Sequence, residues 1–176
     1  AINHQIKEET VKFQVGSIIL SPGFDEFDAN RLAAYGYGRF SNVISSIQFE
    51  RVLSASGPTG GHLQRPSDGR LPKKVAFIQC VGSREPASGN PHCSSVCCMY
   101  AIKESVIAKE HEHEIEPTIF YMDIRAYGKD FDRYYARAKN EYGIRFKRAR
   151  VSGVRRDEQT GRLVLEYEDD SGKVAH

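Results

Sequence analysis

Apolar and polar residues alternate over Val11-Lys-Phe-Gln-Val15 and then fuse into Ser17-Ile-Ile-Leu20. That period of two predicts a strand with a buried far end. Ser21-Pro22-Gly23 stops it, because proline cannot donate to a ladder and glycine supplies the turn. Residues 25–44 keep no clean period, and Gly36 and Gly38 forbid a long helix there. Ser45 with Gln48 three positions on has the form of a capping box and predicts a short helix to about Ala55. The Gly- and Pro-rich stretch from Gly57 to Pro72 predicts an exposed loop between two units.

From residue 73 the pattern becomes regular. Lys73 to Cys80 reads as a strand running directly into a cysteine, and a helix opened by Ser94 or Ser95 is expected to about Lys109, with Met99, Ile102 and Val106 at helical spacing. Pro117 to Asp123 predicts a second strand. Asp130 to Tyr142 predicts a second helix, with Phe131, Tyr135, Ala138 and Tyr142 on one stripe and Gly143 as its stop. Ile144 to Val154 reads as a third strand, 157–161 as a turn, Arg162 to Glu168 as a fourth strand and 169–172 as a polar turn. The order β-α-β-α-β followed by an antiparallel hairpin calls for an α/β fold with a parallel sheet and right-handed crossovers, half of a dinucleotide-type domain.

At 176 residues the chain has room for one good core, or one domain with an appendage. Apolar content of 40% with 27% charged residues is ordinary for a globular protein, and a formal charge of +2 gives no sign of a nucleic-acid partner. The basic run Arg145, Lys147, Arg148, Arg150 alternates with apolar residues and suits the wet face of a strand. No window approaches the 18 or so apolar residues of a bilayer span. With no initiator Met, an abrupt start at Ala1 and no signal-peptide pattern, the chain is expected to be a piece of a longer cytoplasmic protein.

The chemistry lies in the cysteines. The chain has four, Cys80, Cys93, Cys97 and Cys98, spaced C-x12-C-x3-C-C. Four soft thiolates gathered this way form a complete ligand set for one metal centre, and such sets select zinc or iron–sulfur. Open α/β sheets bind ligands beyond the carboxyl ends of their strands, and this group sits at such an end, where a dinucleotide domain would carry G-x-G-x-x-G; that fingerprint is missing. Backbone N–H groups and the helix N-terminus favour thiolates there, Gly82 and Gly89 permit close backbone approach, and Arg84 with Lys103 would offset the negative charge.

Neighbouring side chains on a helix point about 100° apart. Cys97 and Cys98 therefore reach the separated corners of a [4Fe–4S] cubane more easily than one small zinc ion, and the paired C-x2-4-C knuckles of structural zinc are absent. A zinc-stabilised interaction module and a metal-free thiol switch at Cys97 and Cys98 remain the alternatives. His92 beside Cys93 reads as a solvated loop residue, and His111 and His113 as surface residues in the turn that leaves a helix.

Cys80-Val-Gly-Ser-Arg84, Cys93-Ser-Ser-Val-Cys-Cys-Met-Tyr-Ala-Ile-Lys103 and Phe120-Tyr-Met-Asp-Ile-Arg-Ala-Tyr-Gly-Lys129 together resemble the heterodisulfide reductase family in its A-type component, over roughly residues 11 to 170. That family consists of iron–sulfur flavoproteins with a thioredoxin-reductase-like core. The resemblance implies that Cys80, Cys93, Cys97 and Cys98 ligate one [4Fe–4S] cluster relaying electrons to or from FAD. It implies as partners other heterodisulfide-reductase-like subunits and ferredoxin-type or hydrogenase and dehydrogenase donors, with disulfide reduction belonging to a partner subunit.

It further implies that residues 1–56 are the carboxyl-end segment of an FAD domain, 57–72 a linker, and 73–176 a half-Rossmann-like domain carrying the cysteines. Ser21, Pro22 and Gly23 would then form the flavin-side turn. Arg125 and Lys129, beyond the second strand, would face the flavin or the cluster. The chain lacks the amino-terminal dinucleotide fingerprint and ferredoxin-type cysteine repeats, so FAD is expected to be held mostly by sequence outside it, and a nicotinamide cofactor is not expected.

Overall fold

A computed structural model describes residues 4–168, 172 and 174–175. Three parallel strands form its centre: β1 (Lys74–Ile78), β2 (Glu116–Tyr121) and β3 (Arg145–Arg148), in the order β1-β2-β3. Phe77 lies opposite Ile119, and Ile119 opposite Phe146, so one face presents a continuous apolar row. Helices α2 (Cys97–His111) and α3 (Phe131–Asn140) supply the two crossovers. Against that row they bury Ala101, Ile102, Val106 and Ala138, together with Ile119 and Ile144. Gly143 is left-handed, with φ 65°, as the stop after α3 requires.

A second, antiparallel sheet is formed by β4 (Val151–Arg156), β5 (Leu163–Glu168) and β6 (Val174–Ala175). It touches the opposite face of the parallel sheet where the Phe120 and Tyr167 rings meet with centroids 5.3 Å apart. The single strand expected over 144–154 is therefore two strands in two sheets. Ala149 N–H closes the parallel ladder on the Tyr121 carbonyl at 3.0 Å, and pairing resumes at Val151 with Tyr167. The carbonyls of Val151 and Val154 accept from the Tyr35 hydroxyl at 3.2 Å and from Arg39 Nη2 at 3.3 Å. Side chains thus satisfy β4 carbonyls that the parallel sheet does not use. The turn expected at 169–172 falls, apart from Gly172, outside the described residues.

The amino-terminal third departs most from expectation. No strand forms over 11–20; Val15, Ile18, Ile19 and Leu20 stand 62–89% exposed. An alternating segment becomes a strand only when a neighbour completes its ladder, and none pairs with it among the described residues. Residues 29–31 and 33–35 form only 3-10 turns, as the absence of a long helix over 25–44 anticipated, and Gly36 is left-handed after them.

Helix α1 (Ser46–Leu53) forms as expected, with Ser45 Oγ accepting from Gln48 N–H and Gln48 Oε1 accepting from Ser45 N–H. Ser45→Ala is expected to lower stability by about 1 kcal/mol, read from denaturant midpoints, because a half-made box leaves an N-terminal donor unpaired. The 57–72 stretch has no regular element, yet it is anchored. Leu63 is buried with Leu53, Ala108 and Ile115, which fastens α1 and the loop onto the back of α2.

Candidate metal centre

Strand β1 ends where the chain must turn sharply. Gln79 N–H still bonds to the Phe120 carbonyl, at 3.1 Å, and Cys80 then enters left-handed backbone with φ 61°. Arg84 (φ 56°) and Ser95 (φ 68°) do the same, so three of the four described non-glycine residues at positive φ frame this one loop. Such conformations cost of order 1 kcal/mol each and persist only where surroundings impose them. The surroundings here are Arg84 N–H on the His92 carbonyl (2.9 Å), Glu85 N–H on the Asn90 carbonyl (2.9 Å), Asn90 Nδ2 on the Gly82 carbonyl (3.0 Å) and Ser94 N–H on Ser83 Oγ (3.2 Å).

At Gly82 the close neighbour is the Phe27 ring. A Cβ there would lie 2.3 Å from the Phe27 ring, whereas Gly89 has open space and serves only as a left-handed turn at φ 83°.

Helix α2 begins at Cys97, later than either serine expected to open it. Ser95 is left-handed, Val96 occupies the cap, and no side chain caps the first turn. The first turn of the helix is therefore left without a side-chain cap beside the cysteines, where its positive end favours a thiolate. All four cysteines are free thiols, Cys98 buried and the other three half-buried.

Cys97 is the hub. The Cys80 and Cys98 thiols both donate to it, Ser94 and the Cys80 backbone add further hydrogen bonds, and its pKa is held down at about 2 despite burial. The same bonds, followed by burial, push Cys80 and Cys98 far upward. Cys93 Sγ accepts from Ser95 N–H at 3.3 Å, and Cys98 Sγ lies 3.7 Å from the Asp123 carbonyl. Without metal, the Cys97 thiolate is thus shared by two thiols, Cys80 and Cys98. The metal-free protein near pH 7 is expected to show the ultraviolet absorption of a single thiolate, persisting well below the usual thiol range and lost in Cys97→Ser; no such band would refute the shared-thiolate arrangement.

Two arginines border the group. Arg84 Nη1 is 2.6 Å from Asp123 Oδ1, and Arg125 Nε lies 3.4 Å from the same oxygen. Arg125 is raised in pKa first by Cys93 and then by Asp123, which places its charge on the cysteine side. Lys103 does not join them; it pairs with Glu50 on α1 at 3.2 Å. Lys129 is exposed. Ser21, Pro22 and Gly23 are exposed, and Gly23 has nothing within 4 Å of where a Cβ would stand. His92 and His113 are exposed, and His111 Nδ1 lies 2.9 Å from the Gly61 carbonyl, so the histidines serve the surface and the loop.

Among the described residues, no three His, Cys, Asp or Glu side chains are drawn to the spacing of a single bound ion. The donor set nevertheless suits a thiolate-ligated centre: four free cysteines, hydrogen-bond donors to sulfur, and cationic neighbours. Asp123, legible only as a turn residue, proves to be the anchor of both arginines. Glu104 was not singled out from the sequence at all. The only signal was a carboxylate within the apolar run of α2, and the structure buries it to 1% exposure.

Fold and site together define an α/β protein with a four-cysteine centre at the carboxyl edge of a parallel sheet. No protein-family model matches the chain. It is 48% identical over 169 residues to the second iron-sulfur A-type component of CoB–CoM heterodisulfide reductase in Methanopyrus kandleri, covering 96% of this chain and 26% of that protein. It is 46% identical, with the same coverage, to the corresponding iron-sulfur A-type component of the CoB–CoM heterodisulfide reductase of Methanocaldococcus jannaschii. To the A-type component of the ferredoxin:CoB-CoM heterodisulfide reductase of Methanosarcina mazei it is also 46% identical, over 96% of this chain and 21% of the relative. The curated homologues of this chain are thus A-type components of heterodisulfide reductase, and the chain spans about a quarter of the length of those it matches.

Proposed function

We propose that Cys80, Cys93, Cys97 and Cys98 hold one [4Fe–4S] cluster that passes single electrons to or from FAD, as part of a longer cytoplasmic heterodisulfide reductase component. The observation that carries this reading is the gathering of the Cys80 and Cys98 thiols around the Cys97 thiolate at the start of α2, with Cys93 beside the bordering Arg125. A cluster bound there would supply one-electron redox chemistry. The protein's own part is to provide the thiolates, donate to them from Ser94, Ser95 and the turn, and offset their charge with Arg84 and Arg125, whose guanidinium groups Asp123 holds in place. No residue of the chain makes or breaks a substrate bond in this account.

The rest of the assignment follows the same line. Residues 1–56 end an FAD domain, 57–72 link it to the cysteine domain of 73–176, and Ser21-Pro22-Gly23 turn on the flavin side. The bare apolar side chains of Ile18, Ile19 and Leu20 support this, since a strand of that composition needs a sheet to join. Arg125 and Lys129 face the cluster or the flavin. The partners are other heterodisulfide reductase subunits and ferredoxin-type, hydrogenase or dehydrogenase donors, in keeping with the ferredoxin in one relative's name.

The test is iron and acid-labile sulfide per chain, with a visible spectrum, on protein purified or reconstituted without oxygen. About four of each, with broad absorption near 400 nm, is the expected result. Zinc in their place would make the centre a folding device, and neither metal after reconstitution would leave the Cys97 and Cys98 pair as a thiol switch.

A further inference from the structure

Among the described residues, Glu104 is the one buried side chain for which the fold provides no partner. It is 1% exposed, and neither carboxyl oxygen has a hydrogen-bond partner. It stands seven residues beyond Cys97, and two turns of helix return to the same face, so both lie on one side of α2 about 10 Å apart along the axis. Tyr100 lies between them on that face. A cavity of about 140 Å³ adjoins the carboxyl, lined by Glu50, Leu53, Ser54, Lys103, Glu104 and Ile107. It is large enough for water.

From these positions we infer that Glu104 is a redox-linked proton site, a carboxylic acid kept neutral beside the cysteine centre that holds its proton more tightly when that centre carries an added electron. The inference rests on the cluster reading above.

An unpaired carboxylate cannot be kept in apolar surroundings cheaply, and the group responds by retaining its proton. Burial first, and the Glu50 carboxylate second, push Glu104 up to about 8, against the weaker pull of Lys103. Those two are the charged groups acting on it: Glu50 from α1 and Lys103 from α2 itself. Glu50 in turn accepts from the Tyr100 hydroxyl and pairs with Lys103, and Glu26 of the amino-terminal segment acts on Tyr100. The Glu50 side chain is 38% exposed, which gives protons a way from solvent to the cavity.

The step balances simply. At a pH where Glu104 is ionised, a one-electron donor, dithionite in the test and a ferredoxin-type protein in function, reduces the centre. The Glu104 carboxylate then takes one proton from water, whose O–H bond breaks and leaves hydroxide to the buffer. Where Glu104 already holds its proton, reduction takes up none. A charge about 10 Å away at an effective dielectric near 20 raises the proton affinity of Glu104 roughly tenfold.

The experiment uses the full-length, cluster-loaded protein. Its reduction potential, followed from pH 6 to 10, is expected to fall by about 59 mV in all, centred at or above pH 8, since tenfold in proton affinity is 59 mV for one electron. Glu104→Gln, which keeps the shape of the neutral acid, should be flat over that range. Glu50→Gln should move the inflection to lower pH by removing the neighbouring negative charge.

Infrared difference spectra supply a readout that needs no iron: a protonated carboxylic C=O band that disappears on alkaline titration and is absent in Glu104→Gln. Iron present with a pH-independent wild-type potential, or the same slope in Glu104→Gln, would overturn the coupling alone. Loss of the infrared band already below pH 6 would overturn the neutral acid. Absence of any cluster would overturn the reading on which the coupling rests, while the infrared titration still decides the state of Glu104.

Discussion

Cys97→Ala is expected to bleach the protein and to lower bound iron and sulfide from about four per chain by roughly tenfold or more, with the fold retained by circular dichroism. The expectation rests on the place of Cys97 among the thiols. It accepts from Cys80 and Cys98, carries the negative charge at neutral pH, and stands on the first residue of α2, where first-turn N–H groups are uncapped by any side chain. Its removal takes away the one sulfur already deprotonated. It leaves Cys80 and Cys98 without the partner that orders them, and each is then a thiol that must lose a proton to bind metal.

Arg125→Gln is the matched control. It removes a cation from the border of the site and no ligand, so iron content should stay near the wild-type value. If Cys97→Ala kept about four irons, the ligand assignment would be wrong; if Arg125→Gln lost them equally, the effect would belong to the loop rather than to the ligand.

The second large effect needs no metal. Glu104 is pushed up to about 8 in the folded chain, against an ordinary value near 4.5 once unfolded. Between these values the folded chain holds more protons than the unfolded one, so stability declines as pH rises through that window and levels off above it. The decline is roughly 5 kcal/mol, from a separation of about 3.5 pH units at 1.36 kcal/mol each. Glu104→Gln removes it. At pH 5 the two proteins should melt together, and at pH 9 the variant should be the more stable by that amount, on the order of 10 °C in Tm. Parallel melting curves from pH 5 to 9 would show that Glu104 finds a counter-charge. Burial dominates this effect and salt screens it little, so the difference should survive at high ionic strength.

Elements whose signals were local were legible in the chain. The capping box at Ser45, the strand at Lys74–Ile78, helix α3 and the left-handed Gly143 all depend on neighbours within a few residues, and each forms close to where its pattern placed it, although Phe131 of the expected stripe is exposed. The cysteine group was equally plain, because spacing alone gathers it at a strand end. What failed was whatever depended on a distant partner. The strand over 11–20 needs a neighbouring strand, and none is described. The break between β3 and β4 comes from two sheets claiming one alternating basic and apolar stretch, and composition at Ala149 and Arg150 does not announce it.

Lys103 stands close to the cysteines in sequence, but helix geometry points it to Glu50 on α1. Glu104 illustrates the limit most clearly. A glutamate in a helix is ordinarily a wet residue, and only the packing of α1 over α2 turns this one into a buried acid.

The contact between Phe27 and Gly82 has a mechanical consequence. The ring sits where any larger residue at 82 would collide with it, two positions after Cys80. The amino-terminal segment is thus clipped to the loop that carries the first cysteine, a few residues after its bare apolar stretch ends. A cofactor gripped by whatever that stretch joins would be held in register with the sulfur atoms by the breadth of one aromatic ring. Under the electron relay proposed above, this clip would act as a spacer, setting the separation between that cofactor and the cysteines.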